Sequence, residues 1–83
     1  MQLRYFAWVR ERIGLDAEIV DLPGGIATVA DLLDWLASRD EGYASAFAER
    51  EIIRVALDQE HAEHDAPLAG VREAAFFPPM TGG

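Results

Sequence analysis

The chain has 83 residues, 51% hydrophobic and 27% charged, which is the composition of one globular domain and neither of a disordered nor of a membrane-embedded segment. Seven basic against fifteen acidic residues give a formal net charge of −8, which repels nucleic-acid phosphates and anionic lipid and favours partners with basic surfaces. Cysteine is absent, so disulfides, thiolate metal sites and a Cys nucleophile are excluded, and sulfur or acyl chemistry would need another carrier. No apolar run approaches the roughly 18 residues of a transmembrane helix and the N-terminus lacks a signal-peptide pattern, so a cytoplasmic location is expected, with no nucleic-acid or membrane partner.

Residues 2–9 alternate so that Leu3, Tyr5, Ala7 and Val9 share one face, the pattern of a half-buried strand. Phe6 and Trp8 face the other way, as a second packing surface (the favoured reading) or as an exposed apolar patch for a partner. Residues 10–14 read as a short polar turn closed by Gly14. A second strand spans residues 17–22, with Val20 and Leu22 inward and Glu18 and Asp21 outward, and Pro23-Gly24-Gly25 breaks it. Thr28 is placed to cap a helix, with Asp31 three residues on, and Val29, Leu32, Leu33 and Leu36 form its buried stripe. Asp34 and Ser38 lie on the outer face and Trp35 flanks the stripe. Asp40-Glu41-Gly42 ends this helix, and residues 43–50 form a shorter one with Tyr43, Ala46 and Phe47 as its apolar side.

Ile53, Val55 and Leu57 mark a third strand that stops at the polar turn Asp58-Gln59-Glu60, and residues 61–64 pair back as a weak fourth. Residues 65–70 are turn chemistry in which Leu68 plugs the edge of the core. The last strand spans residues 72–77, with Ala74 and Phe76 on one face and Ala75 and Phe77 on the other, so that one phenylalanine is core and its neighbour lies near the surface. The order β-β-α-β-β-β with one main helix suggests a single sheet folded over that helix in two α+β layers. Small ubiquitin-like β-grasp domains look like this, and strand order alone leaves other compact α+β folds open.

Few constellations of reactive side chains emerge. His61 and His64 flank Glu63 with no third metal ligand and read as solvent-exposed histidines beside a turn. Asp31, Asp34, Asp40 and Glu41 surround a helix whose other side is core, the usual arrangement of a solvated face. Ser38 and Ser45 lie in no nucleophile-elbow context, and Gly24-Gly25 is a turn, not a phosphate cradle. By elimination the chain is a carrier or a binding module more than a self-sufficient enzyme.

The candidate site is the C-terminal stretch Phe76-Phe77-Pro78-Pro79-Met80-Thr81-Gly82-Gly83, which divides the chain into a domain of residues 1–77 and a tail of residues 78–83. Adjacent prolines have fixed φ and no N–H, so they stop the strand and carry the chain onward in extended form. Gly82 and Gly83 then remove every side chain, and six extended residues reach roughly 20 Å, enough to carry a terminal carboxylate into another protein's pocket. A frayed end or spacer would account for a bare Gly-Gly, but here no flexible linker separates it from a hydrophobic strand.

Phe6-Ala7-x-Val9-Arg10-Glu11, Thr28-Val29-x-Asp31-Leu32-Leu33 and the ending from Ala75 to Gly83 together resemble the small subunits of molybdopterin synthases, ubiquitin-like sulfur carriers, over nearly the whole chain. Departures lie in residues 70–73, at Ala74 and in the Asp58-Gln59 turn, which lacks the family's frequent Asn-Gly. The resemblance implies a β-grasp fold with a mixed sheet of four to five strands on one main helix. It further implies that Gly83 is adenylated and then converted to a thiocarboxylate, and that Phe77, Pro78, Pro79, Met80, Thr81 and Gly82 bind partners. Those partners would be the synthase large subunit, an ATP-dependent adenylyltransferase and a sulfur donor protein, the chain itself holding no cofactor and ATP serving the activating enzyme. Catalytic side chains would belong to the large subunit, in a heterotetramer. A ubiquitin-like protein modifier, or a sulfur carrier for thiamine or tRNA thiolation, is the alternative.

Overall fold

Leu3 and Tyr5 point inward from the first strand, β1 (Gln2–Tyr5), and the chain then turns into a helix, α1 (Ala7–Ile13), in a computed structural model that describes residues 1–79. The remaining elements are β2 (Ala17–Ile19), α2 (Val29–Ala37), α3 (Glu41–Ala46), a 3₁₀ turn (Arg50–Ile52), β3 (Arg54–Leu57), β4 (Glu60–Ala62) and β5 (Glu73–Phe77). They form one mixed sheet in the order β2-β1-β5-β3-β4, with β1 and β5 parallel and the other neighbours antiparallel. The central strand β5 runs Glu-Ala-Ala-Phe-Phe, and Ala74, Ala75 and Phe76 are all buried, as a strand hydrogen-bonded on both sides requires.

Helix α2 supplies the apolar layer that covers the inner face. Val29, Leu32, Leu33 and Leu36 are fully buried, at the spacing expected from the sequence. Its start is a reciprocal capping box: Thr28 Oγ1 accepts from Asp31 N at 3.2 Å, and Asp31 Oδ2 accepts from Thr28 N at 3.1 Å and from Ala27 N at 3.0 Å. Those backbone donors, Ala27 first and then Thr28, hold the Asp31 carboxyl below the usual carboxylate range. Leu68 plugs the core's edge as expected, and Tyr43, Ala46 and Phe47 form the buried side of the second helical segment.

Several local expectations are corrected. Residues 7–9 are helical, not strand: Phe6 N donates to Phe76 O at 3.1 Å, after which the backbone turns at Ala7 (φ 52°) and Val9 is buried from a helix. Residues 10–13 are the last turns of that helix, where Arg10 and Arg12 complement the negative end of the dipole and Gly14 caps it at φ 91° with its N–H on Arg10 O. Among the described residues there are therefore three α-helices where one main helix and a short one were expected. Asp40 does not end α2; its Oδ1 accepts from Gly42 N at 2.9 Å and Tyr43 N at 3.2 Å and so begins α3. The β3–β4 hairpin turns on Asp58 (φ 49°) and Gln59 (φ 71°), two left-handed residues of the kind a two-residue hairpin needs. His64 is not fully exposed, because its Nε2 lies 2.9 Å from Ile53 O.

The largest correction concerns Glu18, which points inward. Its register partner is Leu3, and the parity that turns Val20 into the core turns Glu18 the same way. Tyr5 and Tyr43 donate their hydroxyls to Glu18 Oε2 at 2.8 and 2.5 Å, and Arg39 donates to Oε1 at 3.0 Å. Partial burial pushes the Glu18 carboxyl up, but the donors Tyr43, Tyr5 and Arg39 together outweigh it and hold the group below its usual range. Burial, then the bond to Glu18, raises Tyr5 above the ordinary phenol value and pushes Tyr43 up to about 12. The cluster ties β2 to β1 and α3, and among the described residues every buried side-chain nitrogen and oxygen is paired.

Two outcomes test this packing. Alanine is the better helix former by about 1 kcal/mol, yet a Cβ at Gly42 would sit 2.7 Å from Arg12 O, a backbone atom of α1. Gly42→Ala should therefore destabilise the fold by about 1–3 kcal/mol in denaturant unfolding, the reverse of its propensity. Because folding lowers the Glu18 carboxyl, its contribution is complete above about pH 5 and lost as pH falls through the folded value. The stability gap between the parent and Glu18→Gln, followed by urea melts, should be widest near neutrality and narrow as the pH falls through the lowered folded value.

Candidate functional site

The tail begins where β5 ends, and the last two residues of that strand divide the work of holding it. Phe76 is fully buried, stacked on Tyr5 at 5.7 Å between ring centroids and edge-on to Phe47 at 5.3 Å. It sits between Tyr5 of β1 and Val55 of β3 in the sheet register. Phe77 emerges on the opposite face, half-buried, with its ring parallel to Phe6 at 4.6 Å and 7° between planes. Phe6 and Trp8 thus do pack: Phe6 against Phe77, and Trp8 against the core with Arg12 over its ring at 4.2 Å. Arg4 lies over Phe6 at 5.7 Å and reaches Glu73 at 3.7 Å, so the aromatic pair is flanked by charge.

Of the expected site residues, Phe77, Pro78 and Pro79 are described and all three are half-buried, so the root of the tail lies against the domain. Met80, Thr81, Gly82 and Gly83 lie outside the described residues. Beside the root is a hollow of about 500 Å³ whose lining includes Pro79, Arg54, His61 and His64. This grouping was not foreseen from the sequence, although Arg54 faces Phe77 in the β3–β5 register. His61 Nε2 lies 3.4 Å from Glu63 Oε1, and among the described residues no group of three or more His, Cys, Asp or Glu side chains could hold a metal ion.

A larger groove of about 860 Å³ lies at the other end of the sheet, lined by Met1, Ile19, Leu22, Ile26, Leu68 and Val71 among others, and Ile19 there is 83% exposed. It is mostly apolar, with Asp21, Arg72 and the Met1 ammonium as its charged groups, and has no pair of groups arranged for acid–base work. Among the described residues no helix is long and apolar enough to cross a membrane. The geometry thus supplies a firmly held root for a terminal segment and no constellation for chemistry within the domain.

Comparison with known proteins bears on the same stretch. The family model described as the ThiS family matches residues 3–83, which includes the tail. The chain belongs to the ThiS family. Two curated relatives, from Escherichia coli (strain K12) and Haemophilus influenzae, are 34% and 32% identical over 83 residues, all of this chain and 99% of each relative. Both are called "Molybdopterin synthase sulfur carrier subunit". Among solved structures, small archaeal modifier protein 1 of Haloferax volcanii superposes with a TM-score of 0.70 at 31% identity, covering 95% of each chain. The fold is the ubiquitin-like β-grasp, as the resemblance implied and the element order allowed, with five strands among the described residues.

The two phenylalanines make unequal contributions that can be measured. Phe76→Ala empties the centre of the core and should cost about 3–5 kcal/mol in denaturant unfolding. Phe77→Ala removes one exposed-face stack and should cost about 1–2 kcal/mol, leaving a folded domain with a loosened tail root.

Proposed function

We propose that this chain is the sulfur carrier subunit of a molybdopterin synthase, with the carboxylate of Gly83 as the functional group. The observation that carries this reading is the likeness, across the whole length and through the tail, to two relatives of that name. At neutral pH a terminal carboxylate, with pKa near 3.5, is ionised and a poor electrophile, so one oxygen must become a leaving group before sulfur can replace it. Transfer of AMP from ATP by an adenylyltransferase does this and releases pyrophosphate. Sulfide then attacks the acyl-adenylate carbonyl, AMP leaves, and the terminus ends as C(=O)–S⁻; a donor protein's persulfide attacking instead gives an acyl disulfide, from which a second thiol releases C(=O)–S⁻ by forming a disulfide with the donor sulfur. This is how a chain without cysteine carries sulfur.

The loaded tail then enters the synthase large subunit and gives its sulfur to a cyclic pyranopterin monophosphate, two such transfers forming one dithiolene. Gly82 and Gly83 suit a narrow channel, Pro78 and Pro79 reduce the entropy lost on insertion, and Phe77, Met80 and Thr81 supply docking contacts. The large subunit contributes the catalytic side chains, in a heterotetramer of two small and two large subunits. The small subunit binds no cofactor of its own, and ATP is consumed by the activating enzyme in the cytoplasm.

A second reading, a protein modifier joined through Gly83 to a lysine, is favoured by the likeness to a structure titled small archaeal modifier protein 1. Branched Gly-Gly remnants on cellular lysines would mark that use. In a reconstituted synthase, Gly82→Val, or one residue added after Gly83, should abolish sulfur transfer while shifting thermal stability by less than about 0.5 kcal/mol. Full transfer by either variant would refute the carrier role, and a large stability loss would place the tail within the core.

A further inference from the structure

Ile19 is 83% exposed, more than any other large hydrophobic residue described. Glu18 and Val20 turn into the core, so strand parity turns Ile19 to the opposite face, beside Gln2 of β1. It stands at the rim of the groove of about 860 Å³, whose apolar lining also includes Met1, Leu22, Ile26, Leu68 and Val71. A single exposed isoleucine is ordinary on a protein surface. One that projects beside an apolar hollow offers a knob and a hole on the same patch.

The charges of this patch are divided between its two sides. Asp21 follows the end of β2, and Arg72 precedes β5, where its carbonyl accepts from Gln2 N at 2.9 Å. Strand β1 runs between them in the sheet order β2-β1-β5. Among the described residues neither side chain is in an ion pair, whereas Arg4, Arg39 and Arg50 each hold a carboxylate. The Met1 ammonium is already engaged with Val20 O at 2.9 Å. An apolar partner would leave both charges uncompensated, and a basic one would satisfy Asp21 but oppose Arg72. A surface carrying the same two charges in exchanged positions satisfies both. A two-fold axis through the groove produces it, because it exchanges the β2 side for the β5 side: each Ile19 meets the other copy's Val71 side, and each Asp21 meets the other copy's Arg72.

We propose that this groove is the contact between two copies of the chain, an isologous dimer in which each Ile19 enters the other copy's groove and two Asp21–Arg72 pairs close the rim. Gln2 and Ile19 lie at the end of the sheet where β5 begins, and Phe77 lies where it ends, so the dimer leaves the roots of both tails uncovered. The formal charge of −8 on each copy opposes the contact, so the dimer is weak and forms at high protein concentration. It does not depend on what happens at Gly83.

The test is sedimentation velocity on the full chain from about 10 μM to about 1 mM, the span in which weak specific complexes form. The parent should pass from monomer to dimer across that range. Ile19→Asp should stay monomeric at the highest concentration with an unchanged urea midpoint, since residue 19 is exposed. Asp21→Arg should weaken the dimer at least about fivefold, although it reduces the overall repulsion, because it sets arginine against arginine. Asp21→Arg combined with Arg72→Asp, whose net charge equals the parent's, should recover the parent's affinity to within about twofold. A parent that is monomeric throughout would overturn the proposal and leave the groove to a different partner. So would a dimer that Ile19→Asp leaves intact, a charge exchange that restores nothing, or assembly beyond a dimer.

Discussion

Strand β5 is held by β1 on one side and β3 on the other, and its fourth residue, Phe76, is locked between Tyr5, Phe47 and the α2 layer. Every other element can be understood from that insertion. Helix α2 exists to cover the inner face that Leu3, Tyr5, Val55, Ala74 and Phe76 present. The Asp58 carboxylate accepts from Arg72 N and Glu73 N at 3.0 Å each, so that the hairpin turn fixes where β5 begins. Because the register is fixed at the start of the strand and the aromatic contacts fix its end, the direction in which the chain leaves the domain is a property of the core.

The opposite face of the sheet explains how a rigid core is joined to a terminal segment. Phe77, one residue past the core anchor, must face outward by the alternation of the strand, and it finds Phe6 waiting at the end of β1. Phe6 in turn is placed by its own N–H on Phe76 O, so one backbone bond and one ring stack close the root from both sides. Pro78 comes next, where no further ladder bond can form. A domain with no acid–base constellation of its own among the described residues thus holds the root of its C-terminal segment, Phe77 to Pro79, firmly.

Much of this was legible in the sequence. The stripe of Val29, Leu32, Leu33 and Leu36 and the Thr28–Asp31 box were read directly, because helical periodicity and capping are local signals. The division of Phe76 from Phe77 followed from strand parity. What escaped was set by tertiary context or by a stronger signal overriding a weaker one. Alternation through Ala7 and Val9 hid α1, although Gly14 after Arg10 and Arg12 is a helix-stop pattern. The charge of Glu18 argued for solvent, and only the two phenols of β1 and α3 and Arg39 from the α2–α3 connection make an inward carboxylate tolerable. The hollow shared by Arg54 and Pro79 depends on the pairing of β3 with β5, which no local pattern announces.

On the function proposed above, the domain would be a rigid handle for one reactive group at Gly83. The measurement that bears on it most directly is the intact mass of the chain isolated from cells that also express its activating enzyme and sulfur donor, with fragmentation to locate any change. The expected species is heavier by the exchange of one oxygen for one sulfur, confined to the fragment containing Gly83 and dependent on the activating enzyme. An unmodified terminus alongside an enzyme shown to consume ATP with this chain, or sulfur found anywhere other than Gly83, would contradict it.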